Sequence, residues 1–156
     1  MINSTAAAGA HACVNNYLCS WIGCVMKKDI ESKADIPLLI NTFYGKVRSN
    51  GVIGYIFNDV AKVDWEHHLP IMYDFWESVL FHSGPYARNP MVVHKALHER
   101  HPLSAEHFKE WLRLFKETVD ELFEGLNAEL IKQRAQSIAT VMQLKIVETK
   151  KDHGLL

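Results

Sequence analysis

Cysteine is scarce in this sequence, and the few cysteines lie at one end of it. The chain has 156 residues, and all three of its cysteines, Cys13, Cys19 and Cys24, precede residue 25. The rest of the chain has no cysteine with which to build a disulfide framework. This distribution is typical of a protein that folds in a reducing compartment, so we expect it in the cytoplasm.

An excess of charge of either sign is also missing. The formal net charge is -1, with 17 basic and 18 acidic residues, which leaves no basic surface of the kind that binds nucleic acid or an anionic membrane. No apolar run is long enough to cross a bilayer, and no basic segment precedes the N-terminal small residues, so a secretory signal fits poorly. We therefore expect neither a nucleic-acid partner nor a membrane.

Alternation of apolar and polar residues with a period of two is absent, which argues against strands. Apolar residues instead recur at helical spacing, as in Ile36, Leu39, Ile40, Phe43 and Val47. The helical stretches are separated by Ser49-Asn50-Gly51, Ser83-Gly84-Pro85, Pro102 and Gly125. Asn89-Pro90 and Ser104 are suited to begin helices. The sequence predicts an all-α fold.

The first residues differ from the rest. Residues 1–30 are rich in alanine and small residues, and Met26 would serve as a translation start. We interpret residues 1–30 as a tail, disordered or the product of an over-extended start, and residues 31–150 as the single folded domain.

Three side chains with polar tips lie on the apolar faces of different predicted helices: Tyr44, His68 and Trp111. Each one alone is most often a core residue whose tip bonds a nearby carbonyl. Three of them on one core could instead point at a polar ligand inside an apolar pocket. The residue types leave both interpretations open.

Histidine is abundant, and four histidines fall between residues 94 and 107. His94 lies on the inward face of the short helix after Asn89-Pro90. His94 and His98 are one turn apart and could hold zinc, with His101 as a third ligand, but no HExxH motif is present. A haem needs one axial imidazole and a flat apolar slot, which the many Phe, Met and Leu residues would supply. The donor count favours haem over zinc.

Several segments in order and spacing resemble the truncated haemoglobins, and specifically their third group. The similarity runs from about Asp35 to Ile146. The matching segments are Phe43-Tyr44-Gly45-Lys46-Val47-Arg48, Ile56-Phe57-Asn58, Trp65-Glu66-His67-His68-Leu69-Pro70, Asp74-Phe75-Trp76, Asn89-Pro90-Met91-Val92-Val93-His94, Pro102-Leu103, His107-Phe108-Lys109-Glu110-Trp111-Leu112-Arg113-Leu114-Phe115 and Gln133-Arg134-Ala135.

This resemblance implies a shortened globin, a two-over-two helical sandwich around a haem b. It implies that His94 is the proximal iron ligand, that Phe57 packs on the porphyrin and that Met72 is an apolar residue of the distal side. Tyr44, His68 and Trp111, which we call the distal group, match the family's distal residues. Tyr44 and Trp111 would donate hydrogen bonds to the ligand, and His68 would gate the pocket.

The resemblance implies reversible binding of dioxygen, nitric oxide or carbon monoxide at ferrous iron. Two hydrogen-bond donors favour tight binding and slow release of oxygen. An enzymatic alternative is the dioxygenation of nitric oxide, or peroxide chemistry, with electrons from a separate reductase. A third hypothesis is a helical interaction module without haem, in which the distal group is ordinary core.

Overall fold

The structure, a computed structural model, describes residues 27–147. A short 3₁₀ turn, Lys33–Asp35, leads into α1 (Ile36–Ser49), and a π-helical turn, Ile56–Val60, follows it. The other helices are α2 (Trp65–Phe81), α3 (Pro90–Arg100), α4 (Ala105–Leu122) and α5 (Leu126–Val147). No strand occurs between residues 27 and 147. The predicted all-α fold is confirmed.

Side-chain caps explain where several of these helices begin. The side chain of Asn89 accepts a hydrogen bond from the Met91 amide, and Pro90 occupies the first helical position of α3. Ser104 forms a reciprocal capping box with His107 at the start of α4. Both starts are those that the sequence predicts, because capping depends on residues close together in the chain.

The helices form two layers around one core. Helix α1 packs on α2, α4 packs on α5, and the two pairs stack through α1 on α4 and α2 on α5. This is the two-over-two arrangement expected from the sequence. Aromatic rings fill its centre: Phe115 stacks on Trp76 with ring centroids 4.4 Å apart and meets Phe43 edge-on at 5.1 Å. Helix α3 packs on α5 and stands outside the two layers.

One local feature is not visible in the sequence pattern: the segment after Gly54 contains the π-helical turn Ile56–Val60. Helix α2 begins at Trp65, so His68 lies in its first turn and Pro70 in its second. Because Pro70 has no N–H, one backbone hydrogen bond is missing there.

Most of the predicted tail lies outside the described residues, and so do residues 148–150 of the predicted domain. The last four residues of that tail, 27–30, are described and they pack with the domain. Ile30 is fully buried in the core. The Asp29 carboxylate accepts hydrogen bonds from the backbone N–H groups of Asn127 and Ala128 at the start of α5. None of the described helices is long and apolar enough to span a bilayer.

Candidate functional site

A cavity of about 410 Å³ lies between the two layers and α3. Its walls are mainly apolar and aromatic, which is typical of a site for a largely apolar ligand. All six side chains singled out in the sequence line it: Tyr44, Phe57, His68, Met72, His94 and Trp111. The structure therefore brings together residues from α1, the π-helical turn, α2, α3 and α4.

His94 reaches the cavity from α3 in a fixed orientation. Its Nδ1 lies 2.7 Å from the carbonyl oxygen of Pro90, one turn earlier in the same helix. A carbonyl oxygen can only accept, so Nδ1 carries the proton and donates it. In the neutral ring, Nε2 then keeps its lone pair. A histidine held in this way is suited to bind a metal through Nε2.

The two neighbouring histidines that could compete with His94 have other partners. The Leu103 amide donates to Nδ1 of the buried His98 at 3.0 Å, and His101 Nε2 lies 3.0 Å from the Tyr55 hydroxyl. Neither His98 nor His101 lines the cavity. Within residues 27–147, no group of three or more His, Cys, Asp or Glu side chains is placed to hold a metal ion. This arrangement does not support the zinc alternative.

Tyr44 and His68 meet inside the cavity. The Tyr44 hydroxyl lies 3.4 Å from His68 Nε2, which is long for a hydrogen bond between these atoms. Burial raises the pKa of the Tyr44 hydroxyl, so the group stays protonated and can donate. Two effects lower the pKa of His68: the larger is burial, and the smaller is repulsion from the positive charge that His94 can carry. His68 is therefore neutral at neutral pH.

Trp111 brings an indole N–H to the same cavity. Its ring stacks on Phe115 with an interplanar angle of 13° and meets Phe43 edge-on. Among the described residues, no group accepts a hydrogen bond from this N–H, and since no fully buried polar side-chain atom there lacks a partner, the N–H is not fully buried. The indole N–H is thus a donor that the protein does not use elsewhere, held in place by the stacked rings.

The cavity also has polar wall residues that the sequence reasoning did not select. They are Tyr86, Arg88, Arg100 and His107. His107 lies one turn before Trp111 on α4 and so shares its helical face. This spacing could have indicated that His107 also lines the cavity. The two arginines are exposed and nothing in their local pattern distinguishes them from surface arginines.

The residues present fit a haem. The cavity combines apolar walls with an imidazole whose Nδ1 bonds the Pro90 carbonyl and whose Nε2 is left to bind a metal, and with donors from other helices. Arg88 and Arg100 supply positive charge at the cavity, which suits the carboxylates that a haem carries. Haem binding requires no further metal ligand from the protein.

The fold and this cavity define a globin-type haem protein. Two comparisons identify which kind. The chain is 32% identical over 121 residues, which cover 76% of it and 93% of the relative, to "Group 3 truncated hemoglobin ctb" of Campylobacter jejuni. It also matches the crystal structure of the group III truncated hemoglobin from Campylobacter jejuni. The TM-score is 0.69 at 31% identity, over 80% of this chain and 98% of that one.

The chain belongs to the group III truncated haemoglobins. No protein-family model matches it. Membership of this family implies a haem cofactor and small diatomic ligands, as the resemblance of the sequence segments predicted. The role of each cavity residue stays a prediction.

Proposed function

We propose that this protein binds dioxygen and other diatomic ligands reversibly at a haem b held by His94. The observation that carries the proposal is the orientation of His94, whose Nδ1 donates to the Pro90 carbonyl at 2.7 Å while the ring lines the cavity that it shares with the distal group. When bound, the haem supplies the iron atom at which a diatomic ligand binds.

The distal group supplies hydrogen bonds to that ligand. The Tyr44 hydroxyl and the Trp111 indole N–H are protonated donors in a largely apolar cavity, and each charge-assisted bond stabilises a polar ligand by about 1.5–3 kcal/mol. The long contact between Tyr44 and His68 lets the hydroxyl turn towards the ligand at little cost. Tight binding with slow release follows from two such donors.

The visible spectrum of the purified protein tests this proposal. We expect a Soret band in the reduced protein that shifts when carbon monoxide is added. We also expect His94→Gly to lose or severely weaken haem binding, whereas His98→Ala and His101→Ala keep it, because those two histidines bond Leu103 and Tyr55 instead.

Other results would contradict specific parts of the proposal. A colourless protein that cannot be reconstituted with haem, or one that binds stoichiometric zinc instead, would refute the haem site. If His98→Ala alone removed the Soret band, the proximal ligand would lie one turn further along α3. Sustained consumption of nitric oxide with a reductant or a separate reductase would favour the enzymatic alternative.

The cytoplasmic location stays a prediction from the cysteine distribution.

A further inference from the structure

Trp65 lies directly behind two members of the distal group. Its ring centroid is 5.3 Å from that of Tyr44 and 5.9 Å from that of His68, and it meets the His68 ring edge-on at 88°. It also stacks on Phe57 at 6.2 Å. Trp65 does not line the cavity, so it touches the residues of the site without being part of its wall.

Arg48, near the end of α1, lies over the Trp65 ring. The guanidinium carbon of Arg48 lies 5.2 Å from the centroid of the Trp65 ring, within the range of a cation–π interaction. The Arg48 backbone is held as well, because Asn58 Nδ2 donates to its carbonyl oxygen at 3.0 Å. Trp65 thus contacts Arg48 as well as the Tyr44 and His68 rings.

His68 has few other restraints. Its hydrogen bond to Tyr44 is long at 3.4 Å, and its remaining ring contacts are with Tyr44 and Trp65. Trp65 and His68 are three residues apart on α2, so their side chains are neighbours on one helical face. An outward swing of the His68 ring would therefore break its contact with Trp65.

We propose that Trp65, supported by Arg48, is a positioning residue that keeps the His68 ring beside Tyr44 and so sets how often the cavity is open to an entering ligand. The inference rests on the proposed function, because it concerns access to the same cavity. A single edge-to-face contact contributes only a small free energy. Its loss therefore raises the open population by about 2- to 10-fold and does not abolish the closed form.

The test uses the haem-loaded protein with Trp65→Leu, Trp65→Phe and Arg48→Gln. We expect carbon monoxide to bind about 2- to 10-fold faster to Trp65→Leu. The C–O stretching bands should shift from the component of a polar, closed pocket to that of an open one. Nuclear Overhauser effects between the His68 and Tyr44 rings, measured in the diamagnetic carbon monoxide complex, should weaken. Trp65→Phe should restore most of each signal, and Arg48→Gln should give a smaller change in the same direction.

Tyr73→Leu is the matched control, because Tyr73 is an aromatic residue of the same helix that does not line the cavity and bonds Asn41 instead. We expect its carbon monoxide kinetics and bands to be those of the unaltered protein. The inference is overturned if Trp65→Leu changes neither the bands nor the ring contacts, or if Tyr73→Leu changes them equally. If the unaltered protein shows no carbon monoxide-sensitive Soret band, the proposed function itself has failed.

Discussion

The Tyr44 side chain belongs to both the core and the cavity. Its ring packs against Phe43 with centroids 4.9 Å apart and against Trp65 at 5.3 Å, while its hydroxyl lies in the cavity near His68. Removing the hydroxyl alone leaves those ring contacts in place. The packing of this residue and the hydrogen bond proposed for it can therefore be tested separately by one substitution.

We expect Tyr44→Phe to speed oxygen release by about tenfold or more, which corresponds to about 1.4 kcal/mol of lost stabilisation. Carbon monoxide is less polar when bound, so its release should change much less. Flash photolysis and stopped-flow mixing measure both rates. The effects of substitutions within one hydrogen-bonding network do not add, so Trp111→Phe and the double variant belong in the same series.

Tyr73→Phe provides the control for this series, since its hydroxyl donates to Asn41 at 2.6 Å on an exposed part of the protein. Its oxygen release should match that of the unaltered protein. Unchanged oxygen release in Tyr44→Phe, both alone and combined with Trp111→Phe, would mean that Tyr44 is only a core residue.

The start of α5 shows how one helix depends on a distant part of the chain. The two Asp29 carboxylate oxygens accept from the backbone N–H groups of Asn127 and Ala128 at 2.9 and 2.8 Å. Gly125, just before the helix, has a φ of +148°, and a Cβ there would lie 2.4 Å from the Asp29 carboxyl carbon. The glycine thus allows the carboxylate to approach the end of the helix, where unpaired N–H groups favour negative charge.

We expect Asp29→Ala to lower the free energy of unfolding by about 0.5–2 kcal/mol, the usual value of a helix cap. Burial raises the pKa of Asp29, but the hydrogen bonds from backbone N–H groups outweigh burial and hold the pKa below its usual value. Stabilisation by the ionised group is therefore complete above the pKa of the unfolded chain and is lost as the pH falls through the folded value.

Urea unfolding of the unaltered protein and of Asp29→Ala measures the loss of unfolding free energy. It is carried out at neutral pH and at a pH below the pKa of Asp29 in the folded protein. Glu31→Ala is the control, because Glu31 is an exposed acid two residues away. An equal loss in both variants, or a loss in Asp29→Ala that persists at the low pH, would contradict the capping role.

The helices themselves are largely predictable from the sequence, whereas contacts between distant parts of the chain are not. Ser104 and Asn89 cap α4 and α3 through hydrogen bonds to residues two or three positions away, and such signals are visible in the sequence. The cap on α5 comes from Asp29, 98 residues before Asn127, so no local pattern reveals it. For the same reason, no local pattern separates residues 27–30 from the predicted tail. The contacts of Trp65 with Tyr44 and Arg48 also join separate elements, and no local pattern in the sequence indicates them.

At the scale of the whole molecule, these contacts predict where the folded domain begins. A chain that starts at Met26 keeps Asp29 and the buried Ile30, so we expect it to bind haem and unfold at the temperature of the full chain. A chain that starts at Glu31 loses both residues and should unfold at a lower temperature. Thermal unfolding of the two haem-loaded chains, followed at the Soret band, measures this. Loss of haem on starting at Met26 would mean that residues 1–25 belong to the fold.

The contact between the beginning and the end of the domain also has a consequence for protein synthesis. Asn127 donates through its side chain to the Ile30 carbonyl at 2.7 Å, 97 residues earlier, next to the two bonds that Asp29 accepts. While the chain is being made, Asp29 and Ile30 leave the ribosome long before either partner exists. Closing so long a loop is entropically costly until the intervening helices have packed. We therefore expect residues 27–30 to complete their docking only after α5 has been made.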